Sequence, residues 1–341
     1  MNRRHFLAAS AGLIGCSRQT KPRLNVYNWS DYFGKTTLAD FERETGIEVR
    51  YSSYESNEEL LAKVFSGNSG WDIVFPSNYY IQPLVENRLL APLRHEWLPG
   101  IANLDPMLSK PAWDPELTYC VPYMWGSTGI LYRKPASGAA PAAWADLWDE
   151  RFRGRLTMLD DPAEALGAAL KKLGHSLNTA DPGELARAKA ELIAQKRIVR
   201  AYLNAEARDQ VVAGDLLAAH LWATTSSQAI EAAPQLGFAF PREGFPLYAD
   251  CAVILRESTR VEAAHRFIDY LLRPRVAADI VAFSKTSTAN AEARKLLPEA
   301  ISGNPVLYPG EEVLRRGEWF ATLPAAAQRL RDRIWTEVKS A

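Results

Sequence analysis

Hydrophobic and polar positions follow two periods along the first part of the chain, and these periods predict strands and helices in turn. Short apolar runs at 24–29, 47–54 and 71–77 are typical of buried strands. Between them, residues 36–46 and 56–67 carry apolar side chains at helical spacing. This repetition of strand and helix predicts a mainly parallel sheet with helices on both faces.

The second half of the chain has the same character. Helical spacing is clear at 163–174, 182–195 and 261–274, and segments 217–222 and 250–255 are typical of strands. No stretch rich in glycine and serine separates two domains. The pattern therefore favours lobes that are joined by several crossing segments.

The first sixteen residues are typical of a targeting segment. Arg3 and Arg4 precede a short, weakly apolar stretch that ends in Leu-Ile-Gly-Cys at Cys16. The letters RRHFL resemble a twin-arginine export signal, and LIGC resembles a lipobox in which Cys16 is lipidated. A Sec-type signal with a chance cysteine is the alternative. We expect residues 17–23 to be a tether that holds an exported, periplasmic protein at a membrane.

Charge and export exclude several classes of function. The 341 residues include 40 Lys and Arg against 40 Asp and Glu, so no basic field indicates nucleic acid. No apolar run is long enough to span a bilayer. An exported protein is not expected to use a cytosolic cofactor, and we predict none. Besides Cys16, the chain has Cys120 and Cys251, which either form a disulfide bridge or are buried thiols.

Two clusters of polar and aromatic residues directly follow predicted strands. Trp29, Asp31 and Tyr32 follow the first strand, and Ser77 and Tyr79 follow the third. In sheets of this class, ligands bind beyond the carboxyl ends of the strands. These residues are therefore candidates for a ligand site. The alternative is that the aromatic rings merely cover the edge of the sheet.

Motifs of catalysis are scarce. The chain has no G-x-S-x-G, P-loop, H-E-x-x-H or C-x-x-C pattern, so we do not expect an enzyme. The sequence D-P-x-E occurs at 161–164 and again at 181–184. On pattern alone, both copies predict the start of a helix, with Asp at the N-cap and Pro at the first helical position.

Several long stretches resemble one protein family. In order, they are YNWSDY, TGIEVRYSSYESNEEL, WDIVFPSNYYI, NLDPMLSKPAWDPELTYCVPYMWGSTGI, WADLWDERFRGRLTMLDD, YADCAVIL, FIDYLLRP and GEWF. Over residues 24–335, the chain is similar to the spermidine/putrescine-binding proteins of bacterial polyamine ABC transporters.

The resemblance implies an α/β fold of the type II periplasmic-binding-protein class, with two α/β lobes, a hinge and a ligand cleft between the lobes. Lobe 1 would comprise residues 24–127 and 249–309, and lobe 2 residues 128–248 and 310–341. The implied partners are a polyamine and the permease of an ABC importer. We expect a monomer.

The resemblance also implies a set of ligand-contacting residues. Tyr248 stands where the family usually has Trp or Phe, and Phe320 stands where spermidine-binding members have Gln. The full implied set is Trp29, Ser30, Asp31, Tyr32, Ser77, Tyr79, Asp161, Glu164, Trp222, Tyr248, Asp250 and Phe320. In the family's fold, the segments of Cys120 and Cys251 run side by side, which favours a bridge between them.

The chemistry of these residues suits a polyamine. Carboxylates at intervals would pair with its ammonium groups, and aromatic faces would cover the methylenes between them. The number of acids favours spermidine over putrescine. Another small cationic amine is an alternative ligand. An exported hydrolase that uses carboxylates is a more distant alternative, because it needs one acid protonated, whereas acids facing a polycation are expected to stay ionised.

Overall fold

The computed structural model describes residues 22–134 and 139–341. The export signal, Cys16 and most of the predicted tether lie outside these ranges, so their roles stay predictions. Within the described ranges, none of the helices combines the length and the apolar composition that crossing a membrane would require.

The described residues form eleven strands and thirteen α-helices. The strands are β1 (Arg23–Trp29), β2 (Glu48–Tyr54), β3 (Ile73–Val74), β4 (Cys120–Arg133), β5 (Leu156–Met158), β6 (Val199–Tyr202), β7 (Ala218–Trp222), β8 (Leu236–Ala239), β9 (Phe245–Ile254), β10 (Ser287–Thr288) and β11 (Gly317–Trp319). The helices are α1 (Thr37–Thr45), α2 (Asn57–Phe65), α3 (Ile81–Glu86), α4 (Pro162–Lys172), α5 (Pro182–Gln195), α6 (Ala207–Ala213), α7 (Ala223–Ala232), α8 (Val261–Leu271), α9 (Pro274–Ser284), α10 (Ala291–Arg294), α11 (Glu299–Ser302), α12 (Glu311–Leu314) and α13 (Ala325–Ser340).

The strands form a mixed sheet rather than the mainly parallel one that the alternation predicts. Its main path runs β2-β1-β3-β9-β4-β7-β5-β6. The outer strands pair in parallel on both sides, but β9 is antiparallel to β3 and to β4, and β4 is antiparallel to β7. The difference arises at the centre, because apolar periodicity reports burial and not the direction of a strand.

The long strand β4 connects the two sides of the sheet. Residues 120–127 pair with β9, whereas residues 128–133 pair with β7 and β8. The change of partner falls between Ser127 and Thr128, where the predicted lobe boundary lies. The assignment of residues to two lobes stays a prediction, and this change of partner supports it.

The helix starts predicted from D-P-x-E occur at both copies. Asp161 accepts hydrogen bonds from the backbone N–H groups of Ala163 and Glu164 at the start of α4. Asp181 accepts one from Glu184 at the start of α5. The two copies are thus the same local structure, and only their surroundings can give them different roles.

Cys120 and Cys251 are both buried, and the structure has them as free thiols. In the antiparallel pair, Cys120 lies opposite Val253, and Cys251 lies opposite Pro122. The two cysteines are therefore diagonal neighbours, and their side chains are in contact: burial, followed by the hydrogen bond with Cys251, raises the pKa of Cys120. The bridge between them stays a prediction.

We predict that Cys120 and Cys251 form one bridge in the exported protein. Thiol titration after denaturation without reductant should then count neither thiol as free, because adjacent thiols in an oxidising compartment are expected to form a disulfide. A count of two free thiols in the mature protein would contradict this prediction.

Candidate ligand-binding site

One cleft collects nearly all of the predicted site residues. It has a volume of about 850 Å³, counting the part that opens to solvent. Its lining residues are Trp29, Ser30, Asp31, Tyr32, Glu55, Asn57, Ser77, Tyr79, Asp161, Glu164, Ala205, Arg208, Trp222, Thr224, Thr225, Gln228, Tyr248, Asp250, Ser284 and Thr286. Every predicted ligand-contacting residue except Phe320 belongs to this lining.

The ends of strands bring the first group of residues to the cleft. Trp29 is the last residue of β1, and the chain then turns sharply, with Asp31 at a left-handed φ of 59°. The indole of Trp29 donates a hydrogen bond to the backbone oxygen of Phe75 at 2.9 Å. Tyr123 fixes the same turn by donating from its hydroxyl to the backbone oxygen of Tyr32 at 2.6 Å. The aromatic residues after β1 are therefore held in place by backbone contacts.

Asp250 lies at the centre of the cleft wall, in β9, and only 2% of its surface is exposed. The hydroxyl of Ser77 donates to its Oδ1 at 2.8 Å, and the hydroxyl of Tyr32 donates to its Oδ2 at 2.9 Å. Each carboxylate oxygen thus has one fixed donor and remaining lone pairs. The geometry leaves capacity for an ammonium group to bind without displacing either hydroxyl.

Asn57 orients this network from the start of α2. Its Oδ1 accepts from the backbone N–H of Ser77 at 3.1 Å, and its Nδ2 donates to the Ser77 hydroxyl at 3.0 Å. The same amide donates to the hydroxyl of Tyr79 at 3.3 Å. Asn57 therefore fixes both predicted residues of the loop after β3.

Glu164 lies in the first turn of α4 and is also buried. Its Oε1 accepts a hydrogen bond from the Thr128 hydroxyl at 2.7 Å. Its Oε2 has no hydrogen-bond partner among the described residues, and Nε2 of His220 is 3.7 Å away. Burial lowers the pKa of His220 to about 3, so His220 is neutral and this contact is not an ion pair. Glu164 therefore presents an oxygen without a close hydrogen bond, although the side chain of Trp222 also approaches the carboxyl and lowers its pKa against the effect of burial.

Asp161 has two roles in the structure. One oxygen, Oδ1, caps α4, while the residue also lines the cleft. Asp181, the corresponding residue of the second D-P-x-E copy, caps α5 but does not line the cleft. The surroundings thus distinguish two copies that are alike in sequence.

Aromatic rings line the same cleft as these carboxylates. The ring of Tyr248 packs over Gly126, where a Cβ atom would lie 2.5 Å from the tyrosine hydroxyl oxygen, so β4 must be glycine at this point. Trp222 ends β7 and Trp29 ends β1, on opposite sides of the sheet path. The cleft thus combines acids with rings, which suits a chain of methylenes and charges.

Phe320 is the exception among the predicted contacts. It is only 3% exposed and does not line the cleft. Its ring packs against that of Tyr79, with 5.1 Å between centroids, and it belongs to a small apolar cluster with Leu177 and Tyr248. An apolar ring is more stable in this cluster than at the cleft surface, so Phe320 supports Tyr79 from behind.

Burial raises the pKa values of three acids in the cleft when no cation is bound. Burial raises the pKa of Asp250 to about 7, against the hydrogen bonds from Ser77 and Tyr32. Burial also raises the pKa of Glu164 to about 8. Asp161 has a raised pKa as well, through burial and then the neighbouring charges of Glu58 and Glu164. A bound cation would favour the ionised forms of these carboxyls and so oppose the effect of burial.

Sequence reasoning missed a polar part of the lining. Glu55 accepts a hydrogen bond from Ser30, and Asn57 supports Ser77. The other polar residues that were missed are Arg208, Thr224, Thr225, Gln228, Ser284 and Thr286, and the apolar Ala205 lies with them in the lining. The only sequence feature that could have indicated these residues is a position just after a predicted strand. It applies to Thr224 and Thr225, which follow β7. Arg208 and Gln228 lie within helices and have no such signal.

No metal site accompanies this cleft. In the part of the chain that the structure describes, no group of three or more His, Cys, Asp and Glu side chains is arranged to hold a metal ion.

The family of the chain follows from comparison with known proteins. The model of the bacterial extracellular solute-binding proteins matches residues 36–306. The chain belongs to this family. Its members bind solutes and are not enzymes, so the expectation of a binding protein is confirmed.

Individual relatives agree with the family. The spermidine/putrescine-binding periplasmic protein of Escherichia coli is 35% identical over 330 residues, covering 95% of this chain and 94% of that protein. A putrescine-binding periplasmic protein of Pseudomonas aeruginosa is 34% identical, covering 93% and 92%. The resemblance found in the sequence is thereby confirmed.

A solved structure confirms the fold. A protein of Listeria monocytogenes, described as a spermidine/putrescine ABC transporter, superposes with a TM-score of 0.88 at 31% identity. The match covers 93% of this chain and 98% of that one. The chain therefore has the α/β fold of the periplasmic solute-binding proteins.

Proposed function

We propose that this protein is the polyamine-binding subunit of an ABC importer. The observation that carries the proposal is the convergence of three buried or half-buried carboxyls with aromatic rings in one cleft. Asp161, Glu164 and Asp250 are the carboxyls, and Trp29, Tyr32, Tyr79, Trp222 and Tyr248 are the rings. Carboxylates attract ammonium groups, while the rings cover methylenes and add cation–π attraction.

Capture would occur by closure of the two lobes on the ligand. The carboxyls of Asp161 and Glu164 belong to one predicted lobe, and Asp250 belongs to the other. A polycation between them would contact both lobes and so favour the closed arrangement. The residues before position 22 favour export and attachment by a lipid on Cys16. The permease would then receive the ligand at the membrane.

Calorimetry with a panel of amines tests this function. We expect saturable binding of spermidine and putrescine at one site, and the amines should remain chemically unchanged after long incubation. Chemical turnover of a substrate at the cleft would favour the hydrolase alternative. The absence of heat with every amine, in protein with a cooperative thermal transition, would overturn the proposal.

Spermidine is expected to bind more tightly than putrescine. A trication can compensate three carboxyls, whereas the shorter diamine leaves one of them unpaired or protonated. Asp161 is the acid that would meet the additional ammonium group, since Glu164 and Asp250 lie deeper in the protein.

Replacement of Asp161 with asparagine should reduce the difference in affinity between spermidine and putrescine. Asparagine caps a helix about as well as aspartate, so Asp161→Asn removes charge and spares α4. We expect spermidine to lose roughly tenfold in affinity, about 1.4 kcal/mol, and putrescine to lose less. Asp181→Asn is the matched control, because it caps α5 away from the cleft. Equal losses for both ligands, or tighter binding of putrescine by the native protein, would contradict the assignment.

A further inference from the structure

Arg208 places a positive charge in the lining of a cleft that is otherwise suited to cations. It lies in the first turn of α6, and its side chain is 35% exposed. Its Nη1 donates to Oε1 of Gln228 at 2.8 Å. Nε2 of Gln228 donates in turn to the backbone oxygen of Ser284 at 2.9 Å. These two hydrogen bonds fix the orientation of the Gln228 amide and hold the guanidinium of Arg208 at the cleft wall.

The charge of Arg208 has little compensation inside the cleft. Its ion-pair partner is Asp209, whose side chain is 74% exposed and meets Nε at 2.9 Å. An exposed pair of this kind is weak, because solvent screens it. Asp31 and Glu55 also line the cleft, but neither forms an ion pair with Arg208 among the described residues. The guanidinium therefore has donors available for a ligand.

Hydroxyl groups also line the cleft. Thr224 and Thr225 lie in the first turn of α7, and Thr286 follows α9. The hydroxyls of Ser284 and Thr286 are 2.8 Å apart and form a hydrogen bond. An arginine beside several hydroxyls can donate hydrogen bonds to a carboxylate, and a guanidinium is the side chain that matches carboxylate geometry best.

The acids and Arg208 are on different elements. Asp161 and Glu164 lie at the start of α4, and Asp250 lies in β9, whereas Arg208 lies in α6. Arg208 is not among the groups that shift the pKa of Glu164 or Asp250. The lining of the cleft thus includes acids from α4 and β9 and a cation from α6.

We propose that the preferred ligand is a polyamine that carries a carboxylate at one end, with this carboxylate bound by Arg208. The ammonium groups would bind Asp161, Glu164 and Asp250, so this proposal rests on the proposed function. A polyamine with ammonium groups at both ends would bring like charge towards Arg208, whereas a terminal carboxylate would gain charge-assisted hydrogen bonds there.

Calorimetry with matched ligands tests the proposal. The probes are spermidine, spermine, the spermine analogue in which one terminal aminomethyl group is a carboxylate, and the corresponding N-acetylspermine, so that the carboxylate analogue keeps three ammonium groups. We expect the carboxylate analogue to bind at least tenfold more tightly than spermidine. Tighter binding of spermidine than of the carboxylate analogue would overturn the proposal. Equally tight binding of an N-acetyl derivative would overturn it too, because it would indicate recognition of a neutral acceptor.

Arg208→Gln should abolish the advantage of the carboxylate analogue, because it should weaken the binding of that analogue at least tenfold more than the binding of spermidine. Arg197→Gln is the control, since Arg197 forms an exposed pair with Glu150 away from the cleft. If Arg208→Gln weakens spermidine and the carboxylate analogue equally, Arg208 serves the structure of the cleft and the proposal is wrong. If no amine binds the native protein, the proposed function itself fails, and this inference fails with it.

Discussion

Replacing Asp250 with asparagine is expected to weaken polyamine binding at least tenfold and up to about a hundredfold. The carboxylate is held by Ser77 and Tyr32 and has lone pairs left for an ammonium group. A charge-assisted hydrogen bond at such a site contributes roughly 1.5–3 kcal/mol. Asparagine keeps the shape of the side chain and one acceptor oxygen but removes the charge. The loss of affinity therefore measures the contribution of the ion pair between Asp250 and the ligand.

The folded state should tolerate this change, which makes the experiment informative. The raised pKa of Asp250 means that burial already disfavours its ionised form, so a neutral amide does not add a buried charge. Calorimetric titration of Asp250→Asn with spermidine and putrescine measures the effect, and thermal unfolding checks the fold. Asp181→Asn is again the matched control. Native affinity in a folded Asp250→Asn protein would remove Asp250 from the site.

The sequence was sufficient to place the site at the ends of strands. Apolar periodicity located β1, and the change to Ser-Asp-Tyr after Trp29 indicated where a ligand could bind. Resemblance then added Glu164 and Asp250, whose surroundings in α4 and β9 have no distinctive local pattern. The structure agrees, because all of these residues line one cleft.

Other features depend on tertiary structure that no local pattern reports. The central strands β4 and β9 are antiparallel, although their apolar runs could belong to a parallel sheet. Asp161 and Asp181 have the same motif and the same capping role, and only one lines the cleft. Phe320 was expected at the surface of the site, but its ring is buried behind Tyr79. The depth of burial, and hence the raised pKa values, also could not be read from residue order.

Polyamine affinity is expected to rise with pH between 6 and 8. Before a cation binds, burial holds the pKa of Asp250 at about 7 and that of Glu164 at about 8. A bound ammonium group favours the ionised forms and lowers both values, so binding releases protons and is opposed by acid. The ligand's primary amines remain charged across this range. We expect affinity to increase at least tenfold, and up to about a hundredfold, from pH 6 to pH 8.

The same pKa shifts also determine how the stability of the folded protein depends on pH. Because both values are raised above those of the unfolded chain, the protein without a cation should lose stability as pH rises from about 4 to 8. A saturating polyamine should oppose that loss, so its thermal stabilisation should grow with pH.

Calorimetry in two buffers with different heats of ionisation measures the proton release directly. Glu164→Gln and Asp250→Asn should each reduce the number of protons released near pH 7 and flatten the pH dependence, since each removes one titrating carboxyl. Asp181→Asn should change neither the number of protons released nor the pH dependence of affinity, because the carboxyl of Asp181 only caps a helix away from the cleft. Affinity that is constant from pH 6 to pH 8, with no proton released, would mean that these carboxyls are already ionised before the cation binds. The site would then be a preformed anionic cleft, and its selectivity would depend on the spacing of charges alone.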